Sequence, residues 1–264
     1  MKMSALLLSW VAMAFSASVF SHANIQPKDI LDDFAGRQYE EGSRAVIGMI
    51  VGHGCRNMKH PDRARLPTKG LSILFPDPTA YPGIFQPGHF GVKPRLSANW
   101  RKTKSVKGSL AQPVESHGST VSVDARAIYW LKGKLRDDQY DNFEARMGIP
   151  KLAEGAFSCA QVYVPTVQYC HKRHALAWIG AETENFPADS DDKIVVYGFP
   201  RDAVPEGEGR AFAPSFYVKR TGSNVDCNEV CNSRSPDYDP AQCPEVRPDP
   251  KEIDEFLNTK ARLP

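Results

Sequence analysis

The sequence predicts an all-β protein, a β-sandwich, and three observations carry that prediction. Short apolar runs recur between turn-rich segments, 21 prolines and 19 glycines fall mostly between those runs, and helical periodicity is sparse. Each run is short enough for a strand, and the breakers are spaced as turns between strands rather than as helix caps.

At the amino terminus, Met1-Lys2-Met3 places one positive charge ahead of the uncharged run Ser4 to Phe20, and the small residues Ser21 and Ala23 follow. This is the order of a secretory signal. At about 17 residues the run is short for a spanning helix, and no later stretch is apolar enough to cross a bilayer. Two cuts satisfy the small-residue rule. Cleavage after Ala23 is the more usual pattern, and cleavage after Ser21 would leave His22 as the new amino terminus. The expected location is periplasmic or secreted.

The expected strands are Arg44 to Val51, Gly70 to Phe75, Val121 to Trp130 (alternating in its first half), Ala160 to Val167, Ile194 to Gly198 and Ala213 to Val218. Two helical segments are expected. Asp137 to Arg146 could form a turn or two, and Asp249 to Thr259 starts with Asp249 as N-cap and Pro250 at the first helical position. Arg56 to Lys69 and Pro76 to Pro94 read as loops grafted on the sandwich. From residue 223 the chain turns polar and proline-rich, with too few apolar residues for a core of its own. It is expected to be a pinned tail rather than a second domain. No internal repeat is visible.

The chain carries a formal net charge of +2 with both signs dispersed, which gives nucleic-acid binding no electrostatic support. Six cysteines, all beyond the signal, make an even set in an oxidising compartment, and disulfides are expected. A zinc site is disfavoured because Cys227-x3-Cys231 has no matching second pair. Asp137-Asp138 and the acidic pair Glu182 and Glu184 have no partner base or nucleophile nearby in sequence and read as solvated turns. No Gly-x-Ser-x-Gly elbow is present. His89 and His117 lie in glycine-flanked turns and His60 lies in the first loop, where solvent-exposed histidines are the simplest reading; His171 and His174 stand i, i+3 directly after Cys170, where a strand or turn is favoured over a helical two-histidine metal site. Trp100 and Trp130 read as core.

Several segments, in order, resemble the YcnI family of exported copper-binding domains. They are His22-Ala-Asn-Ile-Gln-Pro27, Gly52-His53-Gly54-Cys55 with Pro67-Thr68, and Val92-Lys93-Pro94 ending in Trp100. His117-Gly118 through Trp130 to Phe143 follows, then Val164-Pro165-x-Val167-Gln168-x-x-Cys170, Trp178 and Ala213-Pro214-Ser215. The resemblance spans roughly 22–220 and implies an immunoglobulin-like or cupredoxin-like sandwich. The implied division is a signal at 1–21 (or to 23), a domain at 22–222, and a Cys/Pro-rich tail with a short helix at 223–264.

The resemblance also implies one Cu(II) per chain, held by the amino-terminal nitrogen and imidazole of His22 with Trp178 close by. The family's glutamate ligand falls at or near Lys93, and a charged lysine has no lone pair to donate. His53 is read either as a second imidazole replacing that carboxylate or as a turn histidine beside a disulfide. The resemblance pairs Cys55 with Cys170. Cys159, Cys227, Cys231 and Cys243 then allow three pairings, and a bond from Cys159 into the tail is preferred. The implied role is copper storage, delivery or resistance without catalytic turnover. The implied partners are the copper ion and another periplasmic copper carrier or oxidase-assembly protein. The rivals are a mono-copper oxidase using His53 or His117 as second imidazole, and an interaction module whose metal site has decayed.

Overall fold

Proline and glycine cut the chain into strands too short to stand alone, and the computed structural model shows how they are paired. It describes residues 24–27, 38–52, 54–55, 65–155, 157–171, 174–186, 194–197, 213–231 and 235–257. The segment expected to be a signal, His22, His53 and His60 lie outside these residues. In chain order the first strands are β1 (Asn24–Pro27), β2 (Gln38–Glu40), β3 (Arg44–Val51), β4 (Thr68–Leu74) and β5 (Lys93–Pro94). Then come β6 (Lys102–Ser116), β7 (Ser119–Leu135), β8 (Asp141–Gly148), β9 (Cys159–Tyr163) and β10 (Thr166–Cys170). The last are β11 (Ala175–Trp178), β12 (Ile194–Tyr197), β13 (Ser215–Lys219) and β14 (Glu245–Val246), with helices α1 (Cys227–Val230) and α2 (Pro250–Leu257).

Three sheets form: β1-β3-β8-β5, β12-β11-β10-β4-β7-β6 and β14-β9-β13-β2. One face of the six-stranded sheet packs on both four-stranded sheets. Leu71, Ile73, Trp130 and Trp178 meet Ile47, Met49 and Phe143 from one small sheet, and Val162, Phe216 and Val246 from the other. The fold is a β-sandwich with a disulfide-pinned C-terminal tail. The central strands of the six-stranded sheet are buried along their whole length, as in β10 and β11. A strand covered on both faces has no solvent side to alternate with.

The second cover comes from the tail. Ile253, Phe256 and Leu257 of α2 lie on the other face of the six-stranded sheet against Tyr129, Leu131, Val167 and Tyr169. Asp249 and Glu252 form a capping box, with Glu252 N–H donating to Asp249 Oδ1 at 2.8 Å and Asp249 N–H to Glu252 Oε2 at 3.1 Å. The segment is thus a pinned tail in connectivity and the outer layer of a second core in packing.

Four expectations change. Asp137 to Arg146 is not helical: Asp137-Asp138 is a turn, and the chain enters β8 at Asp141. Phe143, Ala145 and Met147 are buried and alternate with outward residues, a period of two that fits a strand. The run from Ala160 to Val167 is two strands. It leaves the small sheet at Val164, whose N–H donates to Pro214, and joins the six-stranded sheet after Pro165, whose carbonyl accepts from Leu74. Proline has no N–H for a ladder, so the crossing occurs there. Lys102–Ser116 was not foreseen as a strand; it is a sheet edge, mostly exposed, with Lys102, Lys104 and Lys107 along it. The stretch from Pro76 to Pro94 is not wholly loop, holding a short 3-10 turn at Pro78–Ala80 and the two-residue β5.

Candidate functional site

Two places gather chemistry, at opposite ends of the small sheet β1-β3-β8-β5. The first is where β1 begins. Asn24 pairs with Ile50 in antiparallel register, so the amino-terminal end of β1 and the carboxy-terminal end of β3 lie together. Asn24 stands two residues after His22, and Ile50 three before His53. Neither histidine is among the described residues.

What is described around that end is a disulfide, two carboxylates and an indole. Cys55 is bonded to Cys170, joining the segment after β3 to the end of β10 across 115 residues. The Gly54 N–H, between His53 and Cys55, donates to Asp137 Oδ1 at 3.0 Å, and Arg65 Nε lies 3.9 Å from the same oxygen. Val51 pairs with Asp141, whose Oδ2 accepts from the Trp100 indole at 2.6 Å. Trp100 is buried against Gly133, where a Cβ would stand 2.4 Å from its ring. Asp137 and Asp141 were not singled out from the sequence as site residues. Nothing in their sequence spacing to Gly54 and Val51 signals these contacts, which follow from the pairing of β3 with β8.

Other residues fall elsewhere. Trp178 is fully buried in the sandwich core, paired with Thr166 at the end of β10 opposite to Cys170. Four residues of strand separate the two, about 13 Å. Lys93 pairs with Arg146, which pairs with Val46, four residues along β3 from Asn24's partner Ile50 and again about 13 Å. Among the described residues no three His, Cys, Asp or Glu side chains are grouped to hold a metal.

The second place is a cleft of about 500 Å³ at Lys93's end of the sheet. His89 and His117 both line it, with Arg44, Lys93, Arg146 and Glu115. His117 and Gly118 sit at positive φ, 51° and 75°, between the paired Ser116 and Ser119. That is a two-residue type I′ turn, which holds His117 at the tip of the β6–β7 hairpin. His89 Nδ1 faces Asp124 Oδ2 at 3.3 Å, and that oxygen also accepts from Gly91 N–H at 2.9 Å. Away from both places, His174 is buried beside Cys170, with neither ring nitrogen hydrogen-bonded among the described residues.

The remaining cysteines resolve to Cys159–Cys227 and Cys231–Cys243. The first ties β9 to α1. Gln38 of β2 braces the same junction, donating to Asp226 at 2.5 Å and accepting from Cys227 N–H at 3.1 Å. No helix among the described residues is long and apolar enough to cross a membrane.

A crystal structure of an uncharacterized protein from Nocardia farcinica, described as having an immunoglobulin-like fold, is similar with a TM-score of 0.40 and 12% identity. The match covers 75% of this chain and 98% of that one. Comparison with curated proteins found no match. Residues 34–193 match the model of a family described as a domain of unknown function, DUF1775. That span takes in most of the sandwich, from β2 to the approach to β12, and the chain belongs to the DUF1775 family.

Proposed function

We propose that this protein is an exported, YcnI-like copper-binding domain that holds one Cu(II) without catalytic turnover and serves copper storage, delivery or resistance. The observation that carries the reading is the Asp137 carboxylate at Gly54 N–H, at the end of the sheet where β1 begins. The chain segments leading to His22 and to His53 leave the described strands at that end.

The donor set suits the ion. A primary amine and imidazole from His22, an imidazole from His53 and a nearby carboxylate are nitrogen and oxygen donors of the kind Cu(II) prefers in tetragonal sites. Lys93 has no part in this set, and Asp137 takes the place of the absent glutamate. The Cys55–Cys170 bond holds the chain after His53 against β10, which limits how far that side of the site can open.

Intact-mass spectrometry of protein exported by its native host, before and after one equivalent of Cu(II), tests the reading. A mass beginning at His22 that gains one copper supports it. A mass beginning at Asn24, or a His22 species that takes up no copper, overturns it.

A further inference from the structure

We infer that the cleft at the other end of the small sheet is a binding site for a phosphate-bearing ligand, with Arg44, Lys93 and Arg146 as the charged contacts and His117 at its rim. The inference does not depend on copper binding.

Three observations carry it. First, the cations are unpaired whereas the acids are engaged. Among the described residues, Arg44, Lys93 and Arg146 take part in no ion pair, although Arg95, Arg126 and Arg220 all do. The cleft's one carboxylate, Glu115, accepts from Thr120 Oγ1 at 2.5 Å. Asp124, behind the wall, accepts from Gly91 N–H and from its neighbour's N–H.

Second, two of the cations stand in direct cross-strand register. Lys93 pairs with Arg146 in the β5–β8 ladder, and like charges directly opposite on a sheet destabilise it. Arg44 enters the same cleft from β3, where it pairs with Gly148. A fold that could place an acid here, as it does one step along where Arg95 meets Glu144 at 2.5 Å, instead clusters three positive groups. A bound anion relieves that repulsion.

Third, the surface is concave and built. The volume of about 500 Å³ exceeds what one small ion needs. The walls are fixed by the type I′ turn at His117-Gly118 and by Gly148 N–H donating to the Phe90 carbonyl at 2.7 Å. Two guanidinium forks and an ammonium, converging from three strands, match a group with several anionic oxygens better than a single carboxylate.

Phosphate oxygens could come from a free metabolite or from a lipid headgroup, and the test separates the two. Isotope-labelled full-length protein is titrated with inorganic pyrophosphate, and in parallel mixed with vesicles of neutral lipid with or without phosphatidylglycerol. The expected result is saturable shifts confined to the β3, β5, β8 and His117 amides. Arg146→Ala and Lys93→Glu, both at exposed positions, should each weaken binding about tenfold or more without lowering the melting temperature, since each removes the like-charge pair. Pyrophosphate binding assigns a free ligand, and binding only to vesicles containing phosphatidylglycerol assigns a headgroup. Binding to neither, or binding that survives both substitutions, overturns the inference.

Discussion

Phe256 occupies the space that Gly108 leaves empty: a Cβ at Gly108 would stand 2.5 Å from Phe256 Cζ. The ring is seated on the backbone of the edge strand, with the Arg126 guanidinium 5.3 Å from its centroid. Phe256→Ala should therefore leave a cavity and lower stability by about 3–5 kcal/mol. Gly108→Ala should push the ring off its seat and lower the melting temperature as well. Thermal melts with a dye that reports exposed apolar surface check both, and an unchanged melt for either would refute the packing role.

Glu252 has two tasks that one substitution can separate. It closes the capping box with Asp249 and it pairs with the almost fully buried Arg126 at 2.5 Å. Glu252→Gln retains a capping side chain but removes the charge facing Arg126. The expected loss is about 2 kcal/mol, measurable by chemical denaturation. Glu252→Ala should cost more, since it removes the cap too.

Burial holds two phenols neutral. The Tyr39 hydroxyl lies in the core beside Phe216, their rings edge-on at 5.6 Å, and finds no hydrogen-bond partner among the described residues. Desolvation pushes its pKa well above the ordinary tyrosine value. Tyr163 is raised for the same reason first, and then by the neighbouring Glu245 carboxylate. A native pKa above the unfolded one means the folded state keeps protons that the unfolded state releases. The contribution of these two groups to stability is then constant below pH about 10 and falls as pH rises beyond it. Tyr39→Phe should leave stability at neutral pH unchanged or improved and shift alkaline unfolding upward. A variant that unfolds at lower pH than the parent would contradict this.

Cys159–Cys227 closes 68 residues, and replacing both with alanine should cost about 4 kcal/mol in the chain-entropy account. The more specific expectation is spatial. Limited proteolysis should release the segment after residue 227 faster than in the parent, because Gln38 and the bond share the task of holding α1. Equal rates would place the anchor in α2 instead.

Strand content was largely legible because short apolar runs bounded by polar or Pro/Gly segments stand out, as in Arg44 to Val51. Lys102–Ser116 was not, because an edge strand carrying three lysines buries only Leu110 and Val114 and has little apolar pattern to read. Asp137 to Arg146 misled for a different reason. Its charged residues alternate with Phe143 and Ala145 over too few positions to separate a helical face from a strand face. At the candidate site, the HGC segment was visible as a motif, but Asp137 comes to Gly54, and Asp141 to Val51, only through the pairing of β3 with β8. Pairing between strands some ninety residues apart leaves no local trace. The cationic cleft was hidden likewise, since Arg44, Lys93, His117 and Arg146 are scattered over a hundred residues of sequence.

The outer cover of the six-stranded sheet has a consequence in time. Tyr129 donates its hydroxyl to the Phe256 carbonyl, and Arg126 meets Glu252 across 126 residues. As the chain emerges from its amino terminus, β4, β7 and β10 are complete long before α2 exists. A sheet face carrying Tyr129, Leu131, Val167 and Tyr169 then waits bare, at the stage when such surfaces adhere to one another. Production of this protein should therefore be sensitive to whatever shields that face during the interval. A segment with the sequence of α2, supplied separately, should act as a folding aid for chains that lack it.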